Sequence, residues 1–263
     1  MPERWIADVE GFVFDLDGCV WNGRVLNPGA GETLAALHAK GRRLAFLSNN
    51  SRATGAELLA DLHGLGVTIA EHVLTPLEIM GEVIRARFGP SRVLAIGGPE
   101  MAAVIRRAGH TLVEVAQHGD ATVVAVGNDF DLTYERLTAA SRAAARTGAL
   151  ITPNLDPRLP IEGGDFLPGC GAIVEAVARA AKVRPVVVGK PEAPLFRLAL
   201  ERIGLPADGA AMVGDSVDSD IRGARAIGMR TILYAPAGDA KVDDADAVVR
   251  SFAELARRAG VIG

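Results

Sequence analysis

The sequence predicts an α/β protein built on a doubly wound parallel sheet, with a second α/β domain inserted into it. Three observations lead there. Short apolar, β-rich runs alternate along the chain with longer segments of helical period, the pattern of strands joined by crossover helices. Gly41, Gly66, Gly204 and Gly228 each follow a helical stretch, where the left-handed position favours glycine. The middle of the chain repeats the alternation on its own account, which points to a second module.

Taken in order, the first strand is Gly11 to Phe14, an apolar run that opens into Asp15-Leu16-Asp17-Gly18. A helix over Ala30 to Ala39 leads to the second strand, Arg43 to Leu47. The polar run Ser48-Asn49-Asn50-Ser51 follows, and then a helix over Ala53 to Leu62. The insert carries strands at Arg92 to Ile96, Thr111 to Val115, Thr122 to Val126 and Leu150 to Thr152. Its helices cover Met101 to Ala108 and Tyr134 to Thr147. The outer module resumes with strands at Val186 to Val188, Ala210 to Val213 and Arg230 to Leu233. Helices over Pro194 to Arg202 and Asp218 to Ala226 lie between them. The joins fall near Gly89-Pro90 and Lys182. The expected division is therefore residues 1–89 and 183–263 for the outer domain and 90–182 for the insert.

A chain of 263 residues can bury a substantial core. A net charge of −4 with scattered arginines offers no electrostatic footprint for nucleic acid. No apolar run approaches the length of a membrane span, and the first residues show no cleavable signal pattern. The two cysteines, Cys19 and Cys170, lie far apart without metal or redox spacing. They read as free thiols of a cytoplasmic protein.

Ligands of open α/β sheets bind outside the carboxyl ends of the strands, so the residues that end each strand carry the functional reading. The first strand ends in Asp15 and Asp17. Two carboxylates at that spacing can share a Mg²⁺ ion, and one can attack phosphorus; taken alone, they also fit a turn in which the Asp residues cap backbone N–H groups. The second ends in Ser48, Asn49 and Asn50, a hydroxyl and two amides at a helix start, suited to a phosphate or to a plain N-cap. The third ends in Lys190, which can neutralise a phosphoryl group or a carboxylate. The fourth ends in Gly214-Asp215-Ser216-Val217-Asp218-Ser219-Asp220. Asp215 can join Asp15 in a Mg²⁺ shell, because that ion takes one or two carboxylates plus water and substrate oxygens.

In that order the four segments resemble the motifs of the haloacid dehalogenase superfamily. Phe14-Asp-Leu-Asp-Gly-Cys-Val-Trp21, Leu47-Ser-Asn-Asn-Ser51, Val188-Gly-Lys-Pro191 and Val213-Gly-Asp-Ser-Val-Asp-Ser-Asp-Ile221 are similar to the branch of NagD and the p-nitrophenylphosphatases. Thr152-Pro-Asn-Leu-Asp156 and Gly163-Gly-Asp-Phe-Leu-Pro-Gly-Cys-Gly171 in the insert resemble it too. The resemblance implies a Rossmann-like core with a large α/β cap, and a Mg²⁺-dependent phosphomonoester hydrolase working through an aspartyl-phosphate. It implies Asp15 as nucleophile and Asp17 as acid and base, with the Asp17 backbone carbonyl on the metal. Ser48 and Asn49 would hold phosphoryl oxygens, Lys190 would offset charge, Asp215 would ligate Mg²⁺, and Asp220 would orient a metal-bound water. Trp21 and Asn22 fall where the family carries a mobile flap, or else pack against the cap.

The expected substrate is a small phosphomonoester. Relatives of this branch act on sugar phosphates, glycerol phosphate, phosphoglycolate and nucleoside monophosphates, and no residue here chooses among them. Asn154, Asp156, Asp165 and Phe166 are candidate cap contacts, or else residues that fix cap turns. A homodimer through the cap is allowed by the resemblance. Two other readings compete. A non-catalytic metabolite-binding module would require loss of Asp15 or Asp17, and both are present. A dinucleotide oxidoreductase, suggested by Val93-Leu-Ala-Ile-Gly-Gly-Pro-Glu100, lacks G-x-G-x-x-G.

Overall fold

The computed structural model describes residues 4–160, 165–238 and 245–262. Met1 to Glu3 of the N-terminus, and Gly163 and Gly164 of the second insert motif, lie outside them. By contacts the chain divides into two units. Unit 1 comprises Met1–Ser48, Gly55–Leu74 and Lys190–Gly263, and unit 2 comprises Asn49–Thr54 and Thr75–Gly189.

In chain order, unit 1 begins with β1 (Gly11–Asp15), β2 (Trp21–Asn22), β3 (Val25–Leu26), β4 (Arg43–Leu47) and β5 (Val73–Leu74). Unit 2 contributes β6 (Arg92–Ile96), β7 (Thr111–Val113), β8 (Val123–Val126), β9 (Leu150–Thr152), β10 (Arg158–Pro160), β11 (Phe166–Pro168) and β12 (Val186–Val187). The chain then returns to unit 1 for β13 (Ala210–Gly214), β14 (Arg230–Tyr234) and β15 (Ala247–Val249).

Unit 1 is a six-stranded parallel sheet in the order β15-β14-β13-β1-β4-β5. The chain winds outward from β1 through β4 and β5, then resumes on the other side of β1 with β13. That reversal makes the crevice beyond the carboxyl ends of β1 and β13 the topological switch point, where such sheets bind ligands. Every residue of β1 and β13 is buried, which is why both read as unbroken apolar runs. Phe14 anchors one face. Its ring lies 6.0 Å from those of Phe12 and Phe46 and 6.3 Å from that of Phe252. All four are fully buried, each contributing about 1.5–3 kcal/mol.

Unit 2 holds a second parallel sheet, β12-β9-β8-β6-β7, and an antiparallel pair, β10-β11. Its core joins Leu94, Ile96, Val124 and Val126 to the alanine face Ala139, Ala140, Ala143 and Ala144 of the helix Tyr134–Thr147.

Two placements differ from the sequence reading. The strand Val186–Val187 pairs with β9 of unit 2, Val186 opposite Ile151 and Val187 opposite Thr152, and does not lie in the sheet of Asp15. A short apolar run specifies a buried strand, but long-range contacts decide which of two parallel sheets receives it. The helix Pro76–Phe88 also clusters with unit 2, so the joins read near Gly89-Pro90 and Lys182 fall inside that unit. Among the described residues no helix is long and apolar enough to cross a membrane.

Candidate active site

Asp15 is the last residue of β1, and the chain turns sharply after it. The Val20 and Trp21 amides donate back to the Asp15 and Leu16 carbonyls, and the Gly18 amide donates to Trp21 O at 2.8 Å. The Asn27 side chain donates to the carbonyls of Gly18 and Cys19. Gly18 has φ +96°, and a Cβ there would sit 2.2 Å from Asp215 Oδ2. The fourth residue of D-x-D-G is therefore glycine for two reasons, backbone conformation and room for a carboxylate.

Asp15, Lys190 and Asp220 are buried together. The Lys190 ammonium donates to Asp15 Oδ1 and, at 2.7 Å, to Asp220 Oδ1. Asp220 sits on a π-helical turn, Val217–Ile221, just beyond β13. Its other oxygen accepts from the Ser216 amide at 3.1 Å. A Cβ on Gly214 would lie 2.3 Å from that oxygen, so glycine at the end of β13 is what lets the carboxylate in. Asp215 is exposed.

These groups perturb one another. Burial raises the Asp15 carboxyl well above the ordinary aspartate range; the Lys190 charge pulls it down, while Asp220 and Asp215 push it up. Desolvation of its carboxyl raises Asp215 as well, although part of the residue reaches solvent, and the Asp220 charge adds to it. Burial alone would lower the Lys190 ammonium, but Asp15 and Asp220 hold it above the ordinary lysine value.

Three carboxylates against one lysine leave the cluster short of positive charge. Asp15, Asp215 and Asp220 each offer an oxygen within 4.8 Å of the others. Among the described residues, the buried Asp15 Oδ2 has no hydrogen-bond partner. An orphaned anionic oxygen beside converging hard oxygen donors fits a Mg²⁺ ion.

Asp17 is exposed, but both its oxygens are engaged. Oδ2 accepts from Ser48 Oγ at 2.7 Å and Oδ1 from Trp21 Nε1 at 2.9 Å. Ser48, the first residue after β4, is fully buried. The indole contact is not read from the sequence. Its signal was available, because a Trp buried in an apolar run needs a partner for its N–H and Asp17 stands four residues before it.

The structure thus brings Asp15, Asp17, Ser48, Lys190, Asp215 and Asp220 into unit 1. The other candidates belong to unit 2. Asn50 Oδ1 accepts from the Arg52 and Ala53 amides. Asn154 donates to the Asn49 carbonyl and accepts from the Asp156 amide. Asp165 accepts from the Phe166 amide, and the Arg158 guanidinium lies 4.1 Å from the centre of the exposed Phe166 ring.

Residues 12–111 match a family model described as haloacid dehalogenase-like hydrolase, and residues 187–255 match a second model of the same kind. Human glycerol-3-phosphate phosphatase is 33 % identical over 254 residues, covering 87 % of this chain and 79 % of that protein. The chain belongs to the haloacid dehalogenase-like hydrolases. An acid sugar phosphatase of Staphylococcus aureus is 32 % identical, covering 84 % of each chain. Among solved structures, the 4-nitrophenylphosphatase of Thermotoga maritima superposes with a TM-score of 0.83 at 29 % identity, covering 97 % of this chain and 98 % of its own. A glycerol phosphate phosphatase of Mycobacterium tuberculosis, crystallised with magnesium, gives 0.81 at 28 %, covering 95 % and 77 %. Within the haloacid dehalogenase-like hydrolases this chain is a phosphatase of the NagD-like branch. That assignment displaces both the binding-module and the oxidoreductase readings.

Proposed function

We infer that this phosphatase hydrolyses a small phosphorylated metabolite by way of an aspartyl-phosphate on Asp15. The observation that supports the reading best is Asp15 itself: buried, with Oδ1 held by Lys190 and Oδ2 without a hydrogen-bond partner among the described residues. An Asp15 carboxylate oxygen attacks phosphorus while the ester P–O bond breaks, and Asp17 gives its proton to the departing alkoxide. Asp17 then takes a proton from water as that water attacks the acyl phosphate, releasing inorganic phosphate and restoring both carboxyls. Ser48, whose hydroxyl donates to Asp17 Oδ2 here, would turn that hydroxyl to the phosphoryl oxygens when Asp17 carries the proton it is to deliver, with Asn49 and Asn50 next in the chain. Lys190 offsets the negative charge of nucleophile and phosphate. When bound by Asp15, Asp215 and the Asp17 backbone carbonyl, with Asp220 orienting a water, Mg²⁺ supplies the remaining positive charge.

Unit 1 is then the catalytic core and unit 2 the inserted cap domain. Glycerol phosphate and sugar phosphates lead the substrate class, on the names of the relatives. We place the enzyme in the cytoplasm, on its two free cysteines; a homodimer through the cap rests on the family likeness alone. The test is phosphate release from glycerol phosphate, phosphoglycolate, sugar phosphates, nucleoside monophosphates and p-nitrophenyl phosphate, with Mg²⁺ and with EDTA. Metal-dependent release with one preferred substrate is the expected result. No release by folded, Mg²⁺-loaded protein, or release indifferent to EDTA, would refute the reading.

A further inference from the structure

An exposed aspartate ordinarily samples several rotamers, and an acid that must deliver a proton to one oxygen gains from losing that freedom. Asp17 is held from two directions. The Ser48 hydroxyl reaches Oδ2 from the end of β4, and the Trp21 indole N–H reaches Oδ1 from the start of β2. A hydroxyl alone would let the carboxylate pivot about a single contact. The second donor, on the other oxygen, fixes the plane of the group.

Trp21 is itself buried and tied. It is 2 % exposed and counts among the largest buried side chains. Its backbone is tied at N–H to Leu16 O (3.0 Å) and at C=O to the Gly18 amide. Its strand pairs with β3, Trp21 opposite Leu26. The indole N–H is a donor only and carries no titrating proton near neutral pH. It can therefore hold a carboxylate without competing for the proton that Asp17 transfers.

We propose that Trp21 is a positioning residue for proton transfer, holding Asp17 through its indole N–H. The inference rests on the reading of Asp17 as the acid that protonates the leaving group. In that step the P–O bond breaks and the Asp17 proton passes to the alkoxide, while p-nitrophenolate leaves near neutral pH without needing it. Loss of the N–H must therefore weigh on alkyl phosphates and spare aryl ones.

The experiment compares wild type with Trp21→Phe, which keeps an aromatic ring and deletes the donor. It reads kcat/KM, the parameter set by the first irreversible step, for glycerol phosphate and for p-nitrophenyl phosphate. We expect the alkyl value to fall about ten- to a hundredfold, the usual effect of losing a residue that orients a functional ligand. The aryl value should stay within about threefold, and the loss should lie in kcat rather than KM. Should Trp21→Phe fold poorly, biosynthetic replacement of Trp21 by benzothienylalanine in a Trp5→Phe background deletes the same N–H with the ring volume kept. Equal losses on both substrates, or none on either, in folded protein would overturn the proposal. A wild-type enzyme that releases phosphate from neither substrate would instead refute the catalytic reading beneath it.

Discussion

Replacing Gly18 by alanine separates the architecture of the site from the metal chemistry proposed for it. The added Cβ would lie 2.2 Å from Asp215 Oδ2 and 2.7 Å from its carboxyl carbon, where ordinary contact begins at 3.4 Å. The carboxylate must therefore retreat by about 1 Å, a displacement that elsewhere in catalysis can lower rates about a hundredfold. The obstructing atoms belong to the exposed end of a short side chain, so the fold can yield there. Placing a non-glycine residue at φ +96° adds about 1–2 kcal/mol of backbone strain. We expect Gly18→Ala to fold with a modestly lower melting temperature and to need about a hundredfold more Mg²⁺ for half-maximal activity. Phosphate release titrated against Mg²⁺, beside a thermal melt of the same preparation, measures both. An unchanged Mg²⁺ requirement in folded Gly18→Ala would refute the placement of Asp215 on the metal.

Asp15→Asn should abolish phosphate release while leaving the far-ultraviolet circular dichroism spectrum intact; substantial residual turnover would remove Asp15 from its role as nucleophile. A pH effect follows from the raised Asp215 carboxyl. A group raised in the folded state lends stability below its unfolded value near 3.8 and loses it as pH climbs through the folded one. Metal-free Asp215→Asn should accordingly melt above metal-free wild type at neutral pH and level with it near pH 4. With Mg²⁺ present the order should reverse, because only wild type retains the full ligand set. Phe14→Ala removes the centre of the ring cluster and should lower stability by about 3–5 kcal/mol in urea unfolding; a loss under 1 kcal/mol would mean that the stack carries little of the core.

Much of unit 1 was legible in the sequence because strands buried on both faces advertise themselves. Gly11 to Phe14 and Ala210 to Val213 are apolar at every position, and each breaks into acidic residues where the sheet ends. Residues that perform chemistry at a switch point must follow such strands, so Asp15, Asp17, Ser48 and Asp215 stood out by position. Lys190 stood out for a different reason than it first suggested. It follows a strand, but β12 belongs to the other sheet. Two-residue strands such as Val73–Leu74 escaped because so short a run has no period. The start of the long segment of unit 2 did carry a local mark: Thr75 caps the helix Pro76–Phe88 with reciprocal bonds to Glu78, and proline opens the first turn. Side-chain pairings such as Trp21 with Asp17 depend on how a loop closes, and residue order alone states only that both groups need partners.

The pairing of β1 has a consequence for how activity arises during synthesis. Gly11 lies between Arg43 on one side and Ala210 on the other, so one neighbour emerges early and the other only after the whole insert. The residues that meet at the site run from Asp15 to Asp220, with Lys190 following directly upon Gly189 of unit 2. A nascent or clipped chain that ends before Lys190 contains the Asp15 carboxylate without its buried cation. Closure of the site is thus a late, long-range folding event. Partial chains should remain chemically silent towards the cell's phosphate esters until the last third of the polypeptide has docked.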